Sequence, residues 1–272
     1  MIGHPLLQSH WLRLKRFTAT LGDRYFCPCC GGSFHTFWPS GETADSMRAN
    51  TLCPTCSSLE RHRLLWLYLD AHPDLVAGSV RLLHVAPELI VQRFLTQQER
   101  IDYVSIDLDS PLAAHRMDVT RLAFPDCSFD AIICYHVLEH IPDDGSAMAE
   151  LRRVLKPEGW AILQSPILWS RDRTYEDVSI VAPAERERHF GQHDHVRLYG
   201  NDYVDRLTDA GFHVTVDDFA ARLPRSTAHR VRIDPEERIV ICRRELAGST
   251  PRGGTSQQGS AVPSAETPKG AL

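Results

Sequence analysis

Residues 118–166 read DVTRLAFPDCSFDAIICYHVLEHIPDDGSAMAELRRVLKPEGWAILQSP. The run Phe129–Cys134 is short, apolar and rich in β-formers, which predicts a strand buried on both faces. Apolar residues at 147, 148, 151, 154 and 155 form a helical stripe. Lys156-Pro157-Glu158-Gly159 is expected to stop that helix, and Trp160–Gln164 to begin a second strand. The whole is one strand–helix–strand unit, whose strands should be parallel and whose crossover should be right-handed.

The stretch resembles the second half of class I S-adenosylmethionine-dependent methyltransferases of type 11. The resemblance is carried by Asp118-Val119, Leu122–Pro125, Phe129-Asp130, His136–His140 and Arg153–Gly159 in that order. It implies an α/β, doubly wound Rossmann-like sheet that binds S-adenosylmethionine. By the same resemblance Asp118, with Val119, lies near the adenine, and the loop after Cys134, beginning at Tyr135, lines the methyl-donor end. Bacterial methyltransferase-like proteins with cysteine knuckles ahead of a similar first loop resemble the chain over roughly residues 25–245.

Upstream, Arg81–Ala86 reads as the first strand and Tyr103–Leu108 as the second. An acid closing the second strand suits ribose hydroxyls, which points to Asp107, with Asp109 as the alternative. The first loop, His84-Val85-Ala86-Pro87-Glu88, contains no glycine, unlike the usual family pattern. Ala86 is the smallest residue available there, and Glu88 opens the next helix with favourable charge. Both are expected to border the cofactor.

Five of the eight cysteines lie in CPCC (27–30) and CPTC (53–56). Pairing Cys27 with Cys30 and Cys53 with Cys56 leaves two residues inside each pair and 22 between them. That spacing suits four thiolates around a structural zinc ion, with no open coordination position. Cys29 is the odd thiol and an alternative to Cys30. A disulfide framework competes less well in a chain read as cytoplasmic. Ser57-Ser58-Leu59-Glu60 spells a capping box that would start a helix running to about Asp70.

Residues 168–197 form an insertion longer than an ordinary connection. Its His193, His195 and Arg197 are expected to bind the methyl acceptor, with a second metal as the weaker reading of the histidine run. His136 and His140 are the candidate bases, since imidazole titrates near neutral pH. The expected organisation is an N-terminal extension over 1–24, a zinc-ribbon-like module over 25–57, a methyltransferase domain over 58–246 and a disordered tail over 247–272. The formal charge of −5 provides no global basic field for nucleic acid, and no apolar run is long enough to span a membrane. The expected partner is a small-molecule acceptor with an oxygen or nitrogen nucleophile. A non-catalytic, zinc-binding scaffold on the same fold is the alternative.

Overall fold

The computed structural model describes residues 21–41 and 47–245. The expected tail and most of the N-terminal extension lie outside the described residues. Among the described residues no helix is long and apolar enough to cross a membrane.

Four short strands come first: β1 (Leu21–Cys27), β2 (Gly32–Phe34), β3 (Trp38–Ser40) and β4 (Arg48–Leu52). They pair as two antiparallel hairpins, β1 with β2 and β3 with β4. Tyr25, Phe34 and Phe37 are buried between them together with Cys27 and Cys53. So small a core needs a further staple, as a short chain segment cannot bury enough on its own. Helix α1 (Glu60–Ala71) follows.

Alternating elements then build the main sheet: β5 (Val80–Val85), α2 (Leu89–Thr96), β6 (Ile101–Asp107), β7 (His115–Arg116), β8 (Phe129–Tyr135), α3 (Asp144–Val154) and β9 (Leu155–Gln164). The insertion holds β10 (Tyr175–Glu176), α4 (Pro183–Phe190) and β11 (Arg197–Leu198), and after it come α5 (Tyr203–Asp209), β12 (His213–Asp217), α6 (Phe219–Arg222), α7 (Arg225–Val231) and β13 (Ile239–Arg243). The seven strands lie in the order β12-β13-β9-β8-β5-β6-β7. All neighbours from β9 to β7 are parallel, while β13 is antiparallel to both β9 and β12. The doubly wound, Rossmann-like sheet is therefore present.

β8 is buried on both faces, which is why it is apolar apart from Asp130 near its start. Phe129, Ile132 and Cys134 pack with α3 and α5 residues such as Leu151 and Leu207. Ala131, Ile133 and Tyr135 face the other layer, with Leu64, Leu65 and Leu95 of α1 and α2. The crossover helix α3 starts at Asp143, whose Oδ1 accepts from Ser146 N at 2.9 Å.

Three local expectations are corrected. The α3 helix ends at Val154 and β9 begins directly at Leu155 instead of at Trp160, with Glu158 in left-handed backbone (φ 63°). Gly159 is there for space: a Cβ would come within 2.9 Å of the Asp130 carbonyl oxygen. Helix α1 is not capped by Ser57; its N-cap is Leu59, whose N–H donates to His62 Nδ1 at 3.0 Å. Ser57 N instead bonds Cys53 O, and Ser58 Oγ stands 3.1 Å from Cys27 Sγ, so both serines serve the cysteine turn. Finally, the insertion, read from sequence only as a long connection, carries regular structure. Helix α4 (Pro183–Phe190) and the two-stranded ribbon β10 (Tyr175–Glu176) with β11 (Arg197–Leu198) lie in it.

Candidate active site and cysteine centre

Parallel strands put their C-terminal ends on one edge of the sheet, and sequence order fixes what stands there. From β7 across to β9 the edge carries Asp118, Asp107, Ala86, His136 and Gln164. The chain runs outward from β5 to β6 and β7 on one side and through β8 to β9 on the other, so β5/β8 is the switch point where such sheets bind ligands. Ala86 (φ 51°) and His136 (φ 56°) flank it, both in left-handed backbone. That conformation is strained for residues with a Cβ, and such strain concentrates at functional sites.

On the β6/β7 side, Asp107 Oδ1 accepts from Asp109 N and Ser110 N, each at 2.7 Å. Asp118 Oδ1 accepts from Thr120 N and Oγ1, each at 2.8 Å. These turns use one oxygen of each carboxylate; among the described residues no donor reaches Oδ2 of either. The two acids thus end neighbouring strands on the same edge, beside buried Val119. Tyr135 is buried in the layer under α1, and burial pushes its phenol far above the ordinary value.

On the β8/β9 side a cleft of about 810 Å³ opens. Its floor is His136, Gln164 and Ser165; its walls come from Arg48 and Thr51 of the cysteine module, Arg61 of α1, Trp169, and the 232–237 connection. Asp107 and Asp118 do not line it, so the edge has an acidic end and a cleft end, with His136 between them. Burial at the cleft raises the Glu237 carboxyl above its ordinary value.

His136 Nδ1 is 3.3 Å from Glu139 Oε1. Glu139 is buried, and its Oε2 accepts from Ser165 Oγ at 2.9 Å. Burial alone would raise its pKa, but His136 and His140 hold it below the ordinary range. His140 is half-buried, with Nδ1 3.2 Å from Asp194 Oδ2. The His195 ring packs edge-on against it at 4.7 Å, and burial lowers the His195 pKa.

Two expected ligand contacts are corrected. Arg197 is 4% exposed and donates to the carbonyls of Leu138, Ile141 and Pro142 and to Glu176. It clamps the loop that carries Glu139 and His140, with four of its five N–H donors committed to these partners. Glu88 turns away from the sheet edge toward α1. Its Oε1 takes Arg61 Nη2 at 2.6 Å and stands 2.7 Å from His62 Nε2. His195 sits on the insertion against His140, and neither it nor His193 lines the cleft.

Cys27, Cys30, Cys53 and Cys56 bring their Sγ atoms within 4.8 Å of one another. The Cys27–Cys56 and Cys30–Cys53 separations are 3.6 and 3.7 Å. A zinc tetrahedron with ~2.3 Å Zn–S bonds has edges of about 3.8 Å, so the four sulfurs fit that ion. Cys29 lies outside this set of four and lines a crevice with Trp66, Ile90 and Phe94.

Arg63 is the residue that sequence reading missed. It is fully buried, stacks over Phe37 at 4.7 Å, and donates to Thr51 O, Ser58 O and Val231 O. An arginine inside an otherwise apolar helix face, directly after a cysteine turn, was its only signal.

Residues 74–163 match the family model described as a methyltransferase domain. The chain is 33% identical over 95 residues to an uncharacterised methyltransferase of Schizosaccharomyces pombe, covering 35% of this chain and 31% of that protein. It is 29% identical over 105 residues to 27-O-demethylrifamycin SV methyltransferase of Amycolatopsis mediterranei, covering 39% and 37%. The matched region thus spans about a third of the length of these relatives. A solved S-adenosylmethionine-dependent methyltransferase from Mesorhizobium loti aligns with 18% identity over 66% of this chain and 97% of its own, with a TM-score of 0.45. Sheet order and sequence together define a class I methyltransferase fold. The region that matches the methyltransferase-domain model is preceded here by a compact four-cysteine module.

Proposed function

We propose that the chain transfers a methyl group from S-adenosylmethionine to an oxygen or nitrogen of a small polar acceptor. The observation that carries this reading is the pair of left-handed residues, Ala86 and His136, at the switch point between the acidic end and the cleft. When bound, S-adenosylmethionine supplies an activated methyl group, so the protein's task is chiefly alignment.

The free oxygens of Asp107 and Asp118 suit the ribose hydroxyls and the adenine amino group, and Ala86 lets the backbone come close between them. The acceptor occupies the cleft, whose volume lies within the range of small-molecule sites. His136 is its base: it lies on the cleft floor, and imidazole titrates near neutral pH. The cysteine module holds one zinc ion and supplies part of the acceptor wall through Arg48 and Thr51.

Calorimetric titration with S-adenosylhomocysteine tests the reading. Micromolar affinity is expected, weakened at least tenfold in Asp107→Ala and Asp118→Ala and unchanged within a few-fold in His136→Ala. Absence of binding at millimolar ligand would favour the non-catalytic scaffold.

A further inference from the structure

We propose that Glu139, His140 and His195 form a second metal site, for a first-row divalent transition ion, separate from the four cysteines. One ligand atom of each lies within 4.8 Å of the others. The residues come from two places in the chain: Glu139 and His140 from the tight turn after β8, and His195 from the insertion. Val196 N donating to Glu139 O at 2.9 Å, together with the Arg197 clamp on Leu138, Ile141 and Pro142, locks the two segments in register.

The donor atoms are arranged as ligands. His195 Nδ1 is 3.2 Å from the Phe190 carbonyl, so it carries the proton and leaves Nε2 as a lone pair. His140 Nδ1 faces Asp194 Oδ2 and likewise leaves Nε2. Holding the second ring nitrogen on a carbonyl or a carboxylate is how proteins orient metal-binding histidines. Glu139 supplies an independent sign. Its residue is 1% exposed, yet Oε1 is a buried oxygen with no hydrogen-bond partner. His136 Nδ1 is within ion-pair distance of that oxygen without hydrogen-bond alignment. Buried polar atoms are seldom left in that state, and a carboxylate has lone pairs enough to face His136 and coordinate an ion together. Two imidazoles and one carboxylate select manganese, iron, cobalt, nickel or zinc over magnesium or calcium. The site does not depend on methyl transfer, and its test needs no turnover.

Zinc-replete full-length protein is titrated with Co²⁺ and followed by visible d–d absorption. One saturable equivalent is expected, without the thiolate charge-transfer band that entry into the cysteine site would produce. His140→Ala and His195→Ala should each weaken uptake about tenfold or more while still melting cooperatively. The unmodified chain gives a second readout that needs no variant to fold. In proton NMR, Co²⁺ should shift the ring signals of His140 and His195, but not those of His72 or His213. Uptake that is unsaturable or the same in both folded variants overturns the site. So does a thiolate band with the His140 and His195 signals unmoved.

Discussion

Arg63 Nε donates to the Val231 carbonyl oxygen across 2.6 Å, although 168 residues separate them in sequence. The same guanidinium reaches Thr51 O and Ser58 O at 3.0 and 2.8 Å. One buried side chain therefore joins the cysteine module, the first helix and the end of α7, which flanks the cleft. A charge without solvent is costly unless fully paired. Here burial lowers the Arg63 pKa, and negative charge on Cys27 and Glu60 opposes the shift. Four thiolates around a divalent ion carry net negative charge, which gives the arginine a physical reason to be inside.

Arg63→Met should keep the volume but leave Thr51 O and Val231 O without a donor, while Ser58 O still accepts from Cys53 N. At about 1–3 kcal/mol for each unmet group, the loss should be about 2 kcal/mol or more. Arg63→Lys should recover only part, because an ammonium cannot span the same fork. Urea denaturation checks both; a loss below about 0.5 kcal/mol for the methionine variant would remove Arg63 from this role.

Metal analysis of freshly purified protein should find about one zinc per chain held by cysteine. Cys53→Ser should lose it, and the 21–57 segment should then become the first site of proteolysis, since its small core relies on the ion. A metal-free protein with an unchanged melting curve would refute the structural role.

The sheet was legible because β8 is a short apolar run and α3 has a helical apolar stripe, and burial follows both: β8 is buried on both faces and α3 along its stripe. The shared edge of Asp107 and Asp118 was legible because the C-terminal ends of parallel strands lie together, Asp118 being placed by the family resemblance. Arg197 and Glu88 misled for a common reason. A charged residue in a loop reads as a ligand contact, yet its partners are carbonyls and side chains far away in sequence, which no local pattern encodes. The same holds for α1: Ser57-Ser58 has the spelling of a helix cap, but the cysteine turn competes for those groups and wins. The cleft was illegible because four separate segments form its walls.

Ala86 stands where a left-handed backbone is required, in a loop that has no glycine. Left-handed geometry costs an alanine about 1–2 kcal/mol, and glycine gives back about 0.5–1 kcal/mol through unfolded-state entropy. Ala86→Gly should therefore be neutral to about 1 kcal/mol stabilising, with S-adenosylhomocysteine affinity retained. Ala86→Val should destabilise by about 2 kcal/mol or more, because a β-branched residue is a poor fit to positive φ. Equal stability for the two variants would show that the local backbone relaxes freely.

Glu88 should make stability depend on pH. Burial alone would raise its carboxyl pKa, but His62 and Arg61 bring it down from the ordinary 4.5 to about 2. Because the folded value is the lower one, the stabilisation is complete above about 4.5 and is lost as pH falls toward 2. A shift of that size corresponds to about 3 kcal/mol at most near neutrality. Glu88→Gln keeps the shape and removes the charge, so it should melt below wild type at pH 7. The two melting curves should converge between pH 4.5 and 2. Both proteins release cysteine-bound metal in acid, so the difference between them, not either curve alone, isolates Glu88. Melting temperatures that stay a constant distance apart down to pH 2 would mean that the Arg61–His62–Glu88 contact contributes no charge-dependent stability.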